Sequence, residues 1–178
     1  MAAQKVIDLY RDMISTDEIP PNTMTYNLVL KALIFRSTKS EEIDISLCLD
    51  IFENMKRSKQ QALPDKITYT TVINALSMSR NKTSPATGEK CIALLNEMRS
   101  SKSSLCLPDI ITYNSVFKVL VHVKGGNDIT QKCIDIFKEL KESSTIVPGN
   151  YPNKISLNIY KNIFIFLLIL YMKCNCKC

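Results

Sequence analysis

"PDKITYTTVINAL" occupies residues 64–76, and the chain says nearly the same thing again as "PDIITYNSVFKVL" at 108–120. An earlier version reads "PNTMTYNLVLKAL" (21–33), and a degraded one reads "PNKISLNIYKNIF" (152–164). The prolines that open them, Pro21, Pro64, Pro108 and Pro152, lie 43, 44 and 44 residues apart. Self-similarity at that period marks stacked supersecondary units rather than one globular core. Inside the phrases, Tyr26, Val29, Leu30 and Leu33 fall at i, i+3, i+4 and i+7. Tyr69, Val72, Ile73 and Leu76 do the same, as do Tyr113, Val116, Phe117 and Leu120. That spacing predicts one apolar face of a helix, here termed helix A. The residue after each proline (Asn22, Asp65, Asp109, Asn153) stands where an N-cap belongs.

A second phrase alternates with the first: "VIDLYRDM" (6–13), "CLDIFENM" (48–55), "CIALLNEM" (91–98) and "CIDIFKEL" (133–140). Apolar residues recur at i, i+1, i+3, i+4 and i+7, as at Cys48, Leu49, Ile51, Phe52 and Met55, which predicts a second amphipathic helix, helix B. Neither helix can bury its stripe alone, whereas stacking helical hairpins side by side covers both. The expected fold is all-α: a right-handed α-solenoid of stacked antiparallel helix pairs. Residues 1–22 supply the second helix and loop of a partial repeat. Repeats follow at 23–65, 66–109 and 110–153, and 154–178 form an incomplete repeat with an apolar, Cys-rich tail.

The 178 residues are 46% apolar and 22% charged, a normal folded composition, and four glycines without strand-like alternation argue against all-β folds. A formal charge of +6 favours an anionic partner only modestly. "MAAQKVIDLYRDM" lacks the apolar run of a signal peptide and reads as the inside of a helix. No catalytic constellation is present: the one histidine, His122, has no evident Ser or Cys partner and lies beside a buried stripe. No glycine-rich phosphate loop occurs either, so neither an enzyme, a cofactor nor a small-molecule substrate is expected.

The joint pattern of "PDxxTYN" and "C-x-x-I/L-F-x-x-M" over residues 1 to about 158 resembles pentatricopeptide repeat proteins, which bind single-stranded RNA in organelles. The tetratricopeptide relatives, protein binders, carry a Trp signature, and this chain has no Trp. Its 43–44-residue units are longer than the family's usual ones, with the extra residues in the loops. The resemblance implies RNA binding at one base per repeat, in mitochondrion or plastid.

On the face of helix A beside the Tyr stripe, three rows recur: Met24, Ile67, Ile111; Asn27, Thr70, Asn114; and Lys31, Asn74, Lys118. Each set offers an apolar group for a base face, a polar group for its edge, and a donor toward the backbone. The resemblance further implies that the polar residue after the Tyr works with the cap of the next unit. Asn27 with Asp65 then prefers U, Thr70 with Asp109 prefers G, and Asn114 with Asn153 prefers C or a pyrimidine. Asn158 and Ile155 open a further unit. Capping alone also accounts for Asp65 and Asp109. Arg36, Arg80 and Lys124 follow helix A at 44-residue spacing and suit phosphates, or equally the helix dipole.

Cys48, Cys91 and Cys133 occupy one helix-B position in successive units and read as small core residues, while Cys106 lies alone in a loop. "CNCKC" (174–178) offers three thiols without a fourth ligand, so no metal is expected. "IFIFLLILYM" (163–172) is about half the length a bilayer span requires, and a membrane partner is not expected. Two functions remain: an RNA-binding module for a short single-stranded element near U-G-C/Y, and a solenoid scaffold that binds a protein segment.

Overall fold

The computed structural model describes residues 2–16, 20–37, 45–58, 62–79, 81–101, 103–124 and 126–146. These form seven α-helices and no strand: α1 (Ala2–Thr16), α2 (Thr23–Ser37), α3 (Ile45–Arg57), α4 (Lys66–Met78), α5 (Pro85–Ser100), α6 (Ile110–Leu120) and α7 (Gly126–Ile146). A single 3-10 turn, Ser104–Cys106, precedes α6. Helices α2, α4 and α6 are the A helices of the sequence pattern, and α1, α3, α5 and α7 are the B helices.

The A helices start where their caps dictate. Asp65 holds an extended backbone and accepts from the Thr68 N–H at 2.8 Å, while the Thr68 hydroxyl accepts from the Asp65 N–H at 3.1 Å. Asp109 and Thr112 repeat this reciprocal box on α6, and Asn22 accepts from the N–H and hydroxyl of Thr25 at the start of α2. Helix α5 uses another device, Pro85 in its first turn after Ser84.

Each A helix packs against the B helix before it, the B helix after it and the neighbouring A helix. Direct contact between successive A helices makes them a continuous layer, with the B helices forming the other wall. One hydrophobic core runs through the stack from Ile7 to Ile136 and takes in Tyr26, Tyr69 and Tyr113, all nearly covered. Tyr26 meets Tyr10 edge-on at 5.6 Å, and Tyr69 meets Phe52 edge-on at 5.2 Å. In α5 the place of Tyr10 and Phe52 is taken by Leu95, and there the Arg99 guanidinium lies over the Tyr113 ring at 5.7 Å.

Cys48, Cys91 and Cys133 are completely buried and in no disulfide, one per layer. Burial pushes the Cys133 thiol up to about 12 and Cys91 higher still, so both stay protonated and inert. Cys106 also lies buried, its Sγ 3.0 Å from the Pro64 carbonyl of the unit before.

Ion pairs stitch the B helices together: Lys56 to Glu97 at 3.2 Å, Arg99 to Glu139 at 2.7 Å, and Lys132 to Glu89 at 2.7 Å. Glu97 also accepts the Tyr69 hydroxyl at 2.9 Å, tying an A helix into the ladder. Such exposed pairs are screened by solvent and salt and contribute little to stability. Apolar packing dominates. Leu95→Ala, at a fully buried site, is expected to cost about 2–5 kcal/mol, and Tyr69→Phe about 1 kcal/mol. Urea unfolding followed by circular dichroism measures both, and a loss at Leu95 no larger than that at Tyr69 contradicts this ranking.

Candidate functional site

One face of the A layer stays open. Met24, Ile67 and Ile111 stand on it 79%, 47% and 62% exposed. Beside them, the second row lies lower. Asn27 is only 8% exposed, and Thr70 and Asn114 are half-buried. In the third row Lys31 and Lys118 are exposed and Asn74 is half-buried, and the Lys118 ammonium donates to the Asn74 amide oxygen one layer away at 3.2 Å.

Asn27 sinks because the next unit holds it. Its amide N–H donates to Asp65 Oδ1 at 3.2 Å, and its amide oxygen accepts from the Thr68 hydroxyl at 2.7 Å. Asn27 and Asp65, 38 residues apart in sequence, thus meet directly. One layer on, the Thr70 and Thr112 hydroxyls lie 3.0 Å apart, and Thr112 donates to Asp109 Oδ1 at 3.1 Å. Thr70 therefore reaches Asp109 through Thr112. Asn114 is half-buried, while Asn153, Asn158 and Ile155 lie outside the described residues.

Two open clefts follow the layer boundaries. The first, of about 380 Å³, has Met24, Leu28 and Ile67 as apolar lining, with Asn27, Asp65 and Lys31 among them. The second, of about 450 Å³, is lined by Lys31, Phe35, Thr70, Asn74, Ile111 and Ser115. Lys31 borders both. Lys118 and Lys124 are exposed, and the Lys124 N–H donates to the Thr83 carbonyl at 2.9 Å. The side chain of Arg36 and the whole of Arg80 lie outside the described residues.

Burial opposes ionisation of Asp65, but the hydrogen bonds from Thr68 and Asn27 outweigh it and hold its pKa below the ordinary value. Asp109 is shifted the same way: burial raises it, and Lys66 and Thr112 lower it by more. Both carboxylates are therefore anions at neutral pH, and both are N-caps.

The sequence reading assigned no part to Thr68 and Thr112, each fully buried and each joining a cap to the layer before. Their signal was present, because the Thr of every "TY" pair stands three residues after a cap, the partner position of a capping box. His122 lies beside the buried Leu120 and Val123, is itself exposed, and has Nδ1 2.8 Å from the Lys118 carbonyl oxygen. Among the described residues no three His, Cys, Asp or Glu side chains gather as a metal would need, and no helix is long and apolar enough to cross a membrane. The "CNCKC" and "IFIFLLILYM" segments lie outside the described residues.

No family model, curated protein or solved structure matches this chain.

The depressed carboxylates fix a pH dependence. A group whose pKa is lower folded than unfolded stabilises the fold above its unfolded value, near 3.9 for Asp, and loses that contribution as pH falls through the folded value. Asp65→Ala removes a cap and its box, which costs about 0.5–2 kcal/mol at pH 7. The stability gap between wild type and Asp65→Ala is expected to narrow as pH drops from 5 toward 2. Urea titrations across that range measure it, and a gap that stays constant contradicts an ionised, hydrogen-bonded Asp65.

Proposed function

We propose that this chain binds single-stranded RNA along the open face of its A helices, one base per layer, on a right-handed stack of antiparallel helix pairs. One observation carries the reading: the Asn27–Asp65 pair meets in a cleft whose apolar lining includes the exposed Met24 and Ile67. Apolar side chains stack on the face of any base, and recessed amide and carboxylate groups can hydrogen-bond its edge. Lys31 beside the clefts suits the phosphate between two bases. The resemblance of the repeat phrases to pentatricopeptide repeats supports the same reading and supplies its order: U at Asn27/Asp65, G at Thr70/Asp109, C or another pyrimidine at Asn114/Asn153. The RNA 5′ end lies toward the protein N-terminus in that arrangement.

Stacking contributes about 1–3 kcal/mol per base, so the few layers here give a modest site of about three to five nucleotides. RNA processing, stability or translation in an organelle is the setting that the resemblance implies. A second reading, a scaffold for a protein segment, draws on Leu28 and Phe35, each more than half exposed where they line the clefts.

Salt and base identity separate the two. RNA affinity is expected to fall with added salt at a log–log slope near −0.7 per phosphate contacted. Thr70→Asn is expected to change the base preference at one position and leave its neighbours alone. Selection from a randomised RNA pool, followed by anisotropy titrations, measures both effects. Retention of a peptide library with no RNA retained at low salt would decide for the scaffold.

A further inference from the structure

The second cleft is not a copy of the first. The first lies between α2 and α4, whereas the second crosses α4. Ile34 and Phe35 of α2 stand on one side of it, Ile111 of α6 stands on the other, and Thr70, Thr71 and Asn74 of α4 lie between them. Apolar groups thus flank a floor of hydroxyls and one amide, surroundings that suit a flat ring with a polar edge. Asn74 Oδ1 already accepts from the Lys118 ammonium at 3.2 Å, so the NH2 half of the amide is what remains for a ligand.

Phe35 sets this cleft apart. Its side chain is 58% exposed, and every other Phe or Tyr among the described residues is buried or half-buried. Lys31 stands one turn before it on the same side of α2, since residues four apart on a helix are neighbours. The places that match Phe35 on α4 and α6 hold Met78 and His122, so the phenyl ring belongs to one layer alone.

We propose that Phe35 is a stacking platform for one purine base of the bound RNA, held in the second cleft with its edge on Thr70, Thr71 and Asn74. The proposal rests on the RNA reading above and deepens it. In that reading every base packs on the aliphatic groups Met24, Ile67 and Ile111. Phe35 gives one position an aromatic face in addition, and base–aromatic stacking tolerates any base while favouring those that stack best. A purine covers the phenyl ring more fully than a pyrimidine does, so this position selects by ring size as well as by its edge. Lys31 is near enough for the same nucleotide to rest its base on the ring and its phosphate against the ammonium.

The full chain contains no Trp, so Phe35→Trp installs a single fluorescent reporter in the cleft. Short single-stranded RNAs with a purine or a pyrimidine at the position that Thr70 meets are the probes. The purine RNA is expected to quench the indole emission over the same concentration range in which anisotropy reports binding. Phe35→Ala is expected to weaken binding of that RNA about tenfold, the size of one lost base stack, and to weaken the pyrimidine RNA less. Phe35→Leu, which keeps apolar bulk without a ring, should lose nearly as much as Phe35→Ala. Leu9→Ala removes a similarly exposed apolar side chain from the B wall and should leave both affinities unchanged. If RNA binds while the indole emission stays constant, or if Phe35→Ala or Phe35→Leu binds as tightly as wild type, the proposal is overturned and the RNA reading stands. Failure of the wild type to bind either RNA removes both together.

Discussion

The capping box at the head of α4 and of α6 is the constraint on which the rest of the open face depends. Asp65 and Thr68 satisfy each other's backbone N–H groups, as Asp109 and Thr112 do. Ordinarily such a box settles only where a helix begins. Here the Thr hydroxyl has a third partner, the polar side chain of the preceding A helix: Asn27 at the first boundary and Thr70 at the second. A local capping device therefore becomes the joint between layers, and it fixes the depth at which the middle row of side chains sits.

That joint divides the labour between the two walls of the stack. The B wall is held by ion pairs between long, partly exposed side chains, and it tolerates exchange, since Lys56 and Arg99 serve the same place. The A wall is held by short, buried hydroxyls and amides that leave little slack. An unsatisfied group there costs about 1–3 kcal/mol, whereas a surface pair contributes at most about 1 kcal/mol. Precision is concentrated on the face that carries the clefts. The aromatic contacts behind it, Phe52 on Tyr69 and Arg99 on Tyr113, hold the A helices from the opposite side and differ in chemistry without disturbing the register.

Much of this was legible in the sequence because it is local or periodic. The Tyr-led stripes gave the buried face of the A helices, and the Asn or Asp after each proline gave their starts, since both signals act within one helical turn. The helix-B cysteines read as core because the same position recurred in each unit. What escaped depends on contacts between residues some 40 positions apart. The sinking of Asn27 to 8% exposure, the Lys66–Asp109 pair and the Lys56–Glu97 ladder all need the distance between layers, which no pattern in one helix encodes. Lys66 in particular reads from sequence as an unremarkable first-turn lysine, in a place where a positive charge is mildly unfavourable to the helix dipole. Its reason for being there lies in the next layer.

The length of the units raises the question of why longer loops do not spoil the register. Met55 to Asp65 spans ten residues and Met98 to Asp109 spans eleven, so the second connection carries one more. That second connection contains a 3-10 turn at Ser104–Cys106, opened by Ser103, whose hydroxyl oxygen accepts the Leu105 N–H at 3.3 Å. After the turn, Cys106 comes to the place that Ala62 holds in the unit before, three residues ahead of the cap, and both are buried. Its sulfur then rests on the Pro64 carbonyl, next to the earlier cap. The chain thus returns to a buried small side chain three residues before the caps of both α4 and α6. The extra residue therefore lies upstream of that buried position, and the cap that follows keeps the same offset from it in both units.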